Sequence, residues 1–253
     1  RVFGDQSDGV EATHGRLFTL SAENGELELR GESEPLSGAA GDARFVGDTA
    51  LVMDGSSLLT IDLRVPEMPQ ISSESELARI TDDAQIIDEQ HVLTVEQTNG
   101  YDYRLQLVDI SDKAAPSVVS SYDLDLGIND LLLTKFDRKF AYHAASGLLT
   151  MSFSGIDDVT TPNHGFGTLK NWVALFAISP SDGIEPLGRL EGAHLEGLLT
   201  EITCNKLPYD AARFDWTFLL NGALFGVARQ AVVAAPLDDL EQRTSLLLQE
   251  CGL

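Results

Sequence analysis

Carboxylate and amide oxygens recur at short spacing in the segment 123–130, which reads DLDLGIND. Calcium is a hard ion that binds several such oxygens, and alternating acids near a glycine are typical of the start of a calcium loop. We therefore predict a candidate calcium site formed by Asp123, Asp125, Asn129 and Asp130. The segment departs from an EF-hand loop because Thr134 stands where the final Glu belongs. A plain β-strand is the alternative, since it would place the acids on the solvated face and the leucines inside.

A second set of carboxylates precedes or opens four successive apolar runs, at Asp42, Asp83, Asp130 and Asp215. If the first strand of each run lines a central channel, these acids form a ring at one mouth that suits a cation. The alternative is structural, because an Asp at such a position can accept backbone hydrogen bonds that fix the crossing from one unit to the next.

Histidine provides a third signal. His143, His164 and His194 lie in or near the part of the chain that carries insertions, where they could meet Asp157 and Asp158 at a transition metal. The HxE spacing at His194 matches zinc deaminases, but the accompanying PCxxC is absent. Histidines in surface loops are commoner, so these residues alone predict no site.

Linear motifs for catalysis are missing. The nearest match to a nucleophile elbow, MSFSG at 151–155, lacks the first glycine of GxSxG. HExxH, GxGxxG and Walker sequences do not occur. We therefore predict no catalytic residue, and calcium is the only ion or cofactor that the residues favour.

The chain is strongly acidic. It carries 40 Asp and Glu against 17 Lys and Arg, for a formal net charge of -23 over 253 residues. This field repels nucleic-acid phosphates and anionic lipids, so we expect no nucleic-acid partner. Cations and basic protein surfaces are the partners that the field favours, although solubility alone is an alternative explanation for the acidity.

Neither membrane anchoring nor a redox motif is visible. No run approaches the roughly 20 apolar residues of a membrane-spanning helix, and a signal peptide or lipid tether outside this sequence stays open. Cys204 and Cys251 fit no CxxC spacing. In an oxidising compartment they would form a disulfide that closes a loop of about 47 residues; two unpaired buried thiols are the alternative.

Short apolar strands separated by turn-forming residues predict the fold. From residue 41 the chain gives three strands divided by Gly-Asp and Gly-Ser turns, followed by a Pro-rich turn, and the same order repeats from residue 82. Asn99-Gly100 and Asn24-Gly25 are hairpin signals, because both residue types accept the positive φ of a type I′ turn. The predicted units lie near 8–40, 41–80, 81–127, 128–191 and 212–250, with insertions at 155–171 and 192–211.

Four strands in each unit, recurring roughly every 34 to 47 residues, favour a single all-β domain that is a β-propeller. Runs such as TALVM at 49–53 are apolar on both faces of a strand, so neighbouring sheets must cover them. A β-sandwich is the structural alternative. The segment 237–248 could be a helix, but we expect a hairpin there. Five units could close a ring or belong to a longer propeller.

The two insertions are expected to project from this scaffold, where recognition residues tend to lie. They contain or adjoin Phe166, Trp172 and Tyr209, together with Phe214 and Trp216. We predict that the first three contact a protein partner. Aromatic residues beside strands are more often core residues, which is the alternative.

Five sequence segments, which follow one another along the chain, resemble the bacterial and archaeal secreted β-propeller domain family that is distantly related to WD40 repeats. They are DARFVGDTALVM with LLTIDL, LQLVDISDKAAPSVVSSYDL, KFDRKFAYHAASGLLTMSF, VALFAISPSDGIEPLGRL and FLLNGALFGVARQAVVAAPLDDLEQ, spanning 42–248. The resemblance implies an extracytoplasmic, often membrane-tethered protein with more blades than this sequence contains. The family carries no defined catalytic residues, so none is transferred here.

These observations together predict a non-enzymatic extracytoplasmic binding or scaffold module. It would engage a protein partner, within a cell-envelope assembly. The alternative is a propeller hydrolase or lyase with a metal or carboxylate site in the central channel, because such sites combine residues from several blades and leave no linear motif.

Overall fold

The computed structural model describes residues 2–7, 13–23, 25–36, 43–53, 57–75, 80–97, 103–124, 130–131, 140–157, 168–192, 214–228 and 231–247. Within these ranges the chain forms β-strands and no helix, so none of them holds a helix able to cross a membrane. The strands are β1 (Val2–Ser7), β2 (Thr13–Glu23), β3 (Glu26–Glu32), β4 (Ala43–Val46), β5 (Thr49–Met53), β6 (Leu58–Asp62), β7 (Gln70–Ser75), β8 (Ile80–Ile86), β9 (His91–Gln97), β10 (Tyr103–Asp109), β11 (Ser117–Leu124), β12 (Asp130–Leu131), β13 (Phe140–His143), β14 (Leu148–Asp157), β15 (Thr168–Ser179), β16 (Gly183–Glu191), β17 (Phe214–Leu220), β18 (Ala223–Ala228), β19 (Ala231–Pro236) and β20 (Thr244–Leu247).

Each sheet is antiparallel, and in all but sheet D strands that are neighbours in sequence are neighbours in space throughout the sheet. Sheet A contains β1–β3, sheet B β4–β7, sheet C β8–β11, sheet D β12–β16 and sheet E β17–β20. In sheet D, β12 and β13 both pair with β14, so they share the position of the first strand. Within the described residues the predicted all-β class is confirmed, and three of the five sheets have the predicted four strands, whereas sheet A has three and sheet D has five. The segment 237–243 forms turns that lead into β20, as expected for a hairpin.

The chain divides into two compact units, Arg1–Leu124 and Asp125–Leu253. Sheets A, B and C belong to the first unit, and sheets D and E belong to the second. The first predicted insertion, 155–171, begins and ends inside strands. Strand β14 continues to Asp157, and β15 starts at Thr168.

In the first unit, sheet B is buried on both faces. All five residues of β5 are buried, and successive side chains of a strand point to opposite faces. Leu51 and Met53 pack with residues of sheet C, including Val92, whereas Ala50 and Val52 pack with Leu17 and other residues on the opposite side. Sheet B therefore lies between two layers, as the apolar run TALVM predicts.

The same turn follows the third strand of sheets B and C. Asp62 ends β6 and accepts a hydrogen bond from the backbone N–H of Arg64 at 2.9 Å, and Asp109 ends β10 and accepts one from Ser111 at 2.7 Å. The Arg64 side chain also binds Asp62, and these contacts hold the pKa of both carboxyls below the usual value. In both sheets a β-bulge lies just before this acid. This shared turn accounts for the similar sequences that follow the third strand in the two sheets, DLRVPEMP at 62–69 and DISDKAAP at 109–116.

In the second unit, sheets D and E pack face to face. Val173 and Leu175 of β15 share a core with Phe214 and with residues of β18 and β19. Phe214 fits closely, since a Cβ atom added at Gly226 would lie 2.7 Å from its ring and one added at Gly192 would lie 3.0 Å from it. The fit explains why both positions are glycine.

A hydroxyl pair links the same two sheets. Thr150 Oγ1 of β14 and Thr217 Oγ1 of β17 are 2.8 Å apart. Thr150 is fully buried, and a buried hydroxyl needs a partner. This hydrogen bond therefore fixes how β17 lies against β14.

Candidate functional site

The predicted calcium site is described only in part. Asp123 lies in β11 with its side chain 75% exposed, and its Oδ1 accepts a hydrogen bond from Arg104 Nε at 2.5 Å. Leu124 beside it is buried, which matches the strand alternation of the alternative interpretation. Asp130 opens β12, and Asp125 and Asn129 lie outside the described residues. Because Asp123 is the only one of the four residues whose side chain is described, calcium stays a prediction.

The repeat-start acids occupy the first strand of their sheets where they are described. Asp83 lies inside β8, Asp130 is the first residue of β12, and Asp215 is half-buried as the second residue of β17. Asp42 lies outside the described residues. The described positions fit both a cation-binding ring at a channel mouth and acids that accept backbone hydrogen bonds, so the carboxylate ring stays a prediction.

Trp172 is a core side chain. It is 5% exposed, its ring stacks on Phe153 with centroids 5.9 Å apart, and the guanidinium of Arg189 lies 5.9 Å from its ring centroid. This burial supports the core alternative for Trp172 and gives a partner little of the ring to contact. Phe166 and Tyr209 lie outside the described residues, so their predicted role stays a prediction.

The histidine and cysteine predictions fall largely outside the described ranges. His164, His194, Cys204 and Cys251 lie outside the residues that the structure describes. His143 ends β13, with Nε2 3.4 Å from Thr150 Oγ1, and burial lowers the pKa of its imidazole. Among the described residues no group of three or more His, Cys, Asp or Glu side chains is placed to hold a metal ion.

Sheet C contains a buried polar contact that sequence reasoning missed. Glu96 is 5% exposed, and its Oε2 accepts a hydrogen bond from Gln106 Nε2 at 2.7 Å, with Arg104 NH1 3.7 Å away. The three residues occupy neighbouring strands, β9 and β10, so only the strand register could have revealed the contact. Because the carboxylate is already paired, we assign it a structural role.

A small surface pocket lies at the turn between β6 and β7. Its volume is about 340 Å³, and it is lined by Asp62, Arg64, Val65, Met68 and Gln70. The volume is at the lower end of those that hold small ligands. Its charged groups already bind each other, so they are not available to orient a ligand.

The most unusual surface is the face of sheet E that points away from sheet D. In β18 and β19 buried residues alternate with partly buried ones, and in β17 partly buried residues alternate with exposed ones after the buried Phe214. Trp216, Phe218, Leu220 and Leu246 are 54%, 38%, 53% and 64% exposed, and Phe218 stacks on Phe225 with ring centroids 4.9 Å apart. Cross-strand register joins these positions into one surface, which we call the outer face of sheet E: Trp216, Phe218, Leu220, Ala223, Phe225, Val227, Val232, Ala234, Pro236, Thr244 and Leu246.

The sequence contains a signal for this face. The stretch 216–236 is apolar at almost every position, so both sides of the hairpin are apolar. This pattern predicts that both faces are covered. It does not show which face remains exposed within the chain.

Comparison with known proteins gives a fold likeness only. No protein-family model matches the sequence, and no curated protein matches it. Among solved structures, a chain of Kuenenia stuttgartiensis hydrazine synthase is similar, with a TM-score of 0.54 and 12% identity over 90% of this chain and 59% of that one. The chain therefore spans less than two thirds of the hydrazine synthase chain.

Two further solved structures are more distant. A S. cerevisiae Dbp5 complex with Nup159 and Gle1 matches with a TM-score of 0.43 and 13% identity, over 83% of this chain and 42% of that one. A hypothetical selenium-binding protein from Sulfolobus tokodaii matches with a TM-score of 0.28 and 12% identity, over 75% and 38%. At 12% identity the hydrazine synthase likeness shows an arrangement of strands and no function, and these two more distant structures support no conclusion about either.

Proposed function

We propose that this chain is a β-propeller module that binds a protein partner and catalyses no reaction. The observation that carries the proposal is the outer face of sheet E, where four large apolar side chains are 38% to 64% exposed. Contiguous exposed apolar patches mark sites that bind proteins, membranes or ligands.

The propeller arrangement is supported by the sheets themselves. Sheets A, B, C and E are meanders, and sheet B is covered on both faces, as a blade between two blades would be. An extracytoplasmic location, within a cell-envelope assembly, is supported by the family resemblance alone.

Acidity supports the choice of a protein partner. A net charge of -23 attracts basic protein surfaces and repels nucleic acid. The alternative of a propeller hydrolase or lyase gains no specific observation from the described residues, so we do not propose it as a second function.

Affinity purification from the native source, with mass spectrometry and elemental analysis, tests the proposal. We expect a protein that copurifies at a fixed stoichiometry and survives washing. A chain recovered alone with a stoichiometric transition metal would contradict the proposal and would favour the hydrolase.

A further inference from the structure

The interface between sheets D and E contains buried polar side chains that the protein itself does not satisfy. Ser152 of β14 and Asn171 of β15 are 1% and 2% exposed. Within the ranges that the structure describes, Ser152 Oγ and both polar atoms of the Asn171 amide, Oδ1 and Nδ2, lie buried without a hydrogen-bond partner. Leaving such groups unpaired is costly, and buried polar groups in folded proteins are paired with protein or with ordered water. These two side chains therefore point to a molecule that is bound between the sheets.

Both side chains are directed at sheet E. Side chains two positions apart on a strand share a face, so Asn171 lies on the same face as Val173, which shares a core with Phe214 of β17. Ser152 stands opposite Val173 in the register of β14 and β15, and side chains that stand opposite each other also share a face. The unpaired atoms of both residues therefore belong to one interior interface of the second unit.

Sheet E satisfies one polar group of this interface and leaves the amide unsatisfied. Thr150, on the same face of β14, meets Thr217 Oγ1 at 2.8 Å. Near Asn171, in contrast, sheet E presents the ring of Phe214: a Cβ atom added at Gly192 would lie 3.0 Å from that ring and 3.0 Å from the backbone oxygen of Asn171. A phenyl ring is at most a weak hydrogen-bond acceptor, so it does not satisfy the amide.

The separation of the two side chains suits one water molecule. Ser152 and Asn171 are diagonal neighbours, because Asn171 stands opposite Ser154 in the register, and the Cβ atoms of such neighbours lie about 7 Å apart. These two described side chains make no hydrogen bond to each other, and a water spans such a gap with hydrogen bonds of about 2.8 Å on each side. We propose that the interface between sheets D and E binds ordered water, with one molecule bridging Ser152 Oγ and the Asn171 amide. This site is independent of the partner-binding function proposed above.

Water fits this pair because it donates and accepts hydrogen bonds at the same time. It accepts from Asn171 Nδ2 and donates to Ser152 Oγ, or it donates to Asn171 Oδ1 and accepts from the serine hydroxyl. The amide atom that remains takes a second water, since a buried water makes about three hydrogen bonds and can hold another beside it. A cation would bind the two oxygens but would leave Nδ2 unpaired, so the ligand is water and not a metal ion.

Oxygen-17 magnetic relaxation dispersion counts the long-lived buried waters of the whole chain in solution. The measurement compares the parent with Asn171→Leu and Ser152→Ala, which remove the two anchors of the bridging water. Ser33→Ala is the matched control: Ser33 is also 2% exposed, but its Oγ is already bonded within the protein, to the backbone N–H of Leu17 at 3.0 Å and to the Glu34 carbonyl at 2.8 Å. A high-resolution crystal structure of the parent chain locates the water directly.

We expect Asn171→Leu and Ser152→Ala each to lose at least about one long-lived water, and Ser33→Ala to lose none. The parent crystal structure should show a water within hydrogen-bond distance of both Ser152 Oγ and the Asn171 amide.

An unchanged water count in both variants, or an equal loss in Ser33→Ala, would overturn the proposal. A loss in only one of the two variants would overturn the bridge, because each anchor must be needed. If either variant fails to fold, the parent crystal structure decides alone: a direct hydrogen bond between Ser152 and Asn171, or no water at either side chain, contradicts the proposal.

Discussion

Removing one side chain from each face of β5 tests whether sheet B is covered on both sides. Leu51 and Val52 are adjacent, fully buried and directed to opposite faces. Leu51→Ala removes three carbon atoms and Val52→Ala removes two, so at about 0.8 kcal/mol per carbon the transfer loss is about 2.4 and about 1.6 kcal/mol. The cavities that remain add to both losses, which places Leu51→Ala at about 3 and Val52→Ala at about 2 kcal/mol.

Urea unfolding followed by far-UV circular dichroism measures these losses. Tryptophan fluorescence is unsuitable, because Trp172 and Trp216 both belong to the second unit. Leu27→Ala is the matched control, since this leucine is 72% exposed and should change the free energy of unfolding by less than about 0.5 kcal/mol. If Val52→Ala is as mild as Leu27→Ala while Leu51→Ala is costly, sheet B has one covered face and the layered arrangement is refuted.

Three further changes probe the second unit. Thr217→Val should lower the free energy of unfolding by about 0.5 to 1.5 kcal/mol, because Thr150 loses its hydrogen bond at 2.8 Å but keeps the Ala141 carbonyl at 3.4 Å; tryptophan fluorescence in urea measures it, and no change would show that the contact is dispensable. Gly226→Ala should cost about 1 to 3 kcal/mol, because the new Cβ would lie 2.7 Å from the Phe214 ring; a neutral result would mean that the ring moves aside freely. Burial lowers the pKa of His143 below 6.5, so the unfolded chain binds the proton more readily and stability falls as pH drops below 6.5. His143→Gln should flatten this loss between about pH 7 and pH 5 in urea titrations, and an unchanged pH profile would contradict the assignment.

Local signals in the sequence account for the strands and the turns. Runs such as TALVM predict strands covered on both faces, because apolar residues at every position leave no solvated side. Of the two predicted Asn-Gly turns, Gly25 has a positive φ of 83°, and Asn24, Asn99 and Gly100 lie outside the described residues. The further pair Asn221 and Gly222 has positive φ at 50° and 75°, as a type I′ turn requires. The information for each meander is therefore contained in short stretches of the chain.

Contacts between distant residues were not predictable in the same way. Asp123 pairs with Arg104, nineteen positions earlier, because β10 and β11 bring them into register. Glu96 is buried although its type predicts exposure, because Gln106 binds its carboxylate from the adjacent strand. The residue type at one position does not show which residue the neighbouring strand places beside it.

The candidate site was predictable only in part. The apolar stretch 216–236 indicates that both faces of sheet E need cover. Which of the two remains exposed depends on the packing of Phe214 and its neighbours against sheet D, and this is a property of the assembled unit. Trp172 was expected at a partner contact for its residue type, yet its position in β15 directs it into the core.

Site-specific photo-crosslinking in the native source tests the central claim most directly. A benzophenone side chain at position 246 reports on the outer face of sheet E, and the same group at position 27 reports on an exposed strand elsewhere. We expect position 246 to capture one protein and position 27 to capture none. The same products from both positions, or a specific product from position 27 alone, would contradict the claim that this chain binds its partner through sheet E.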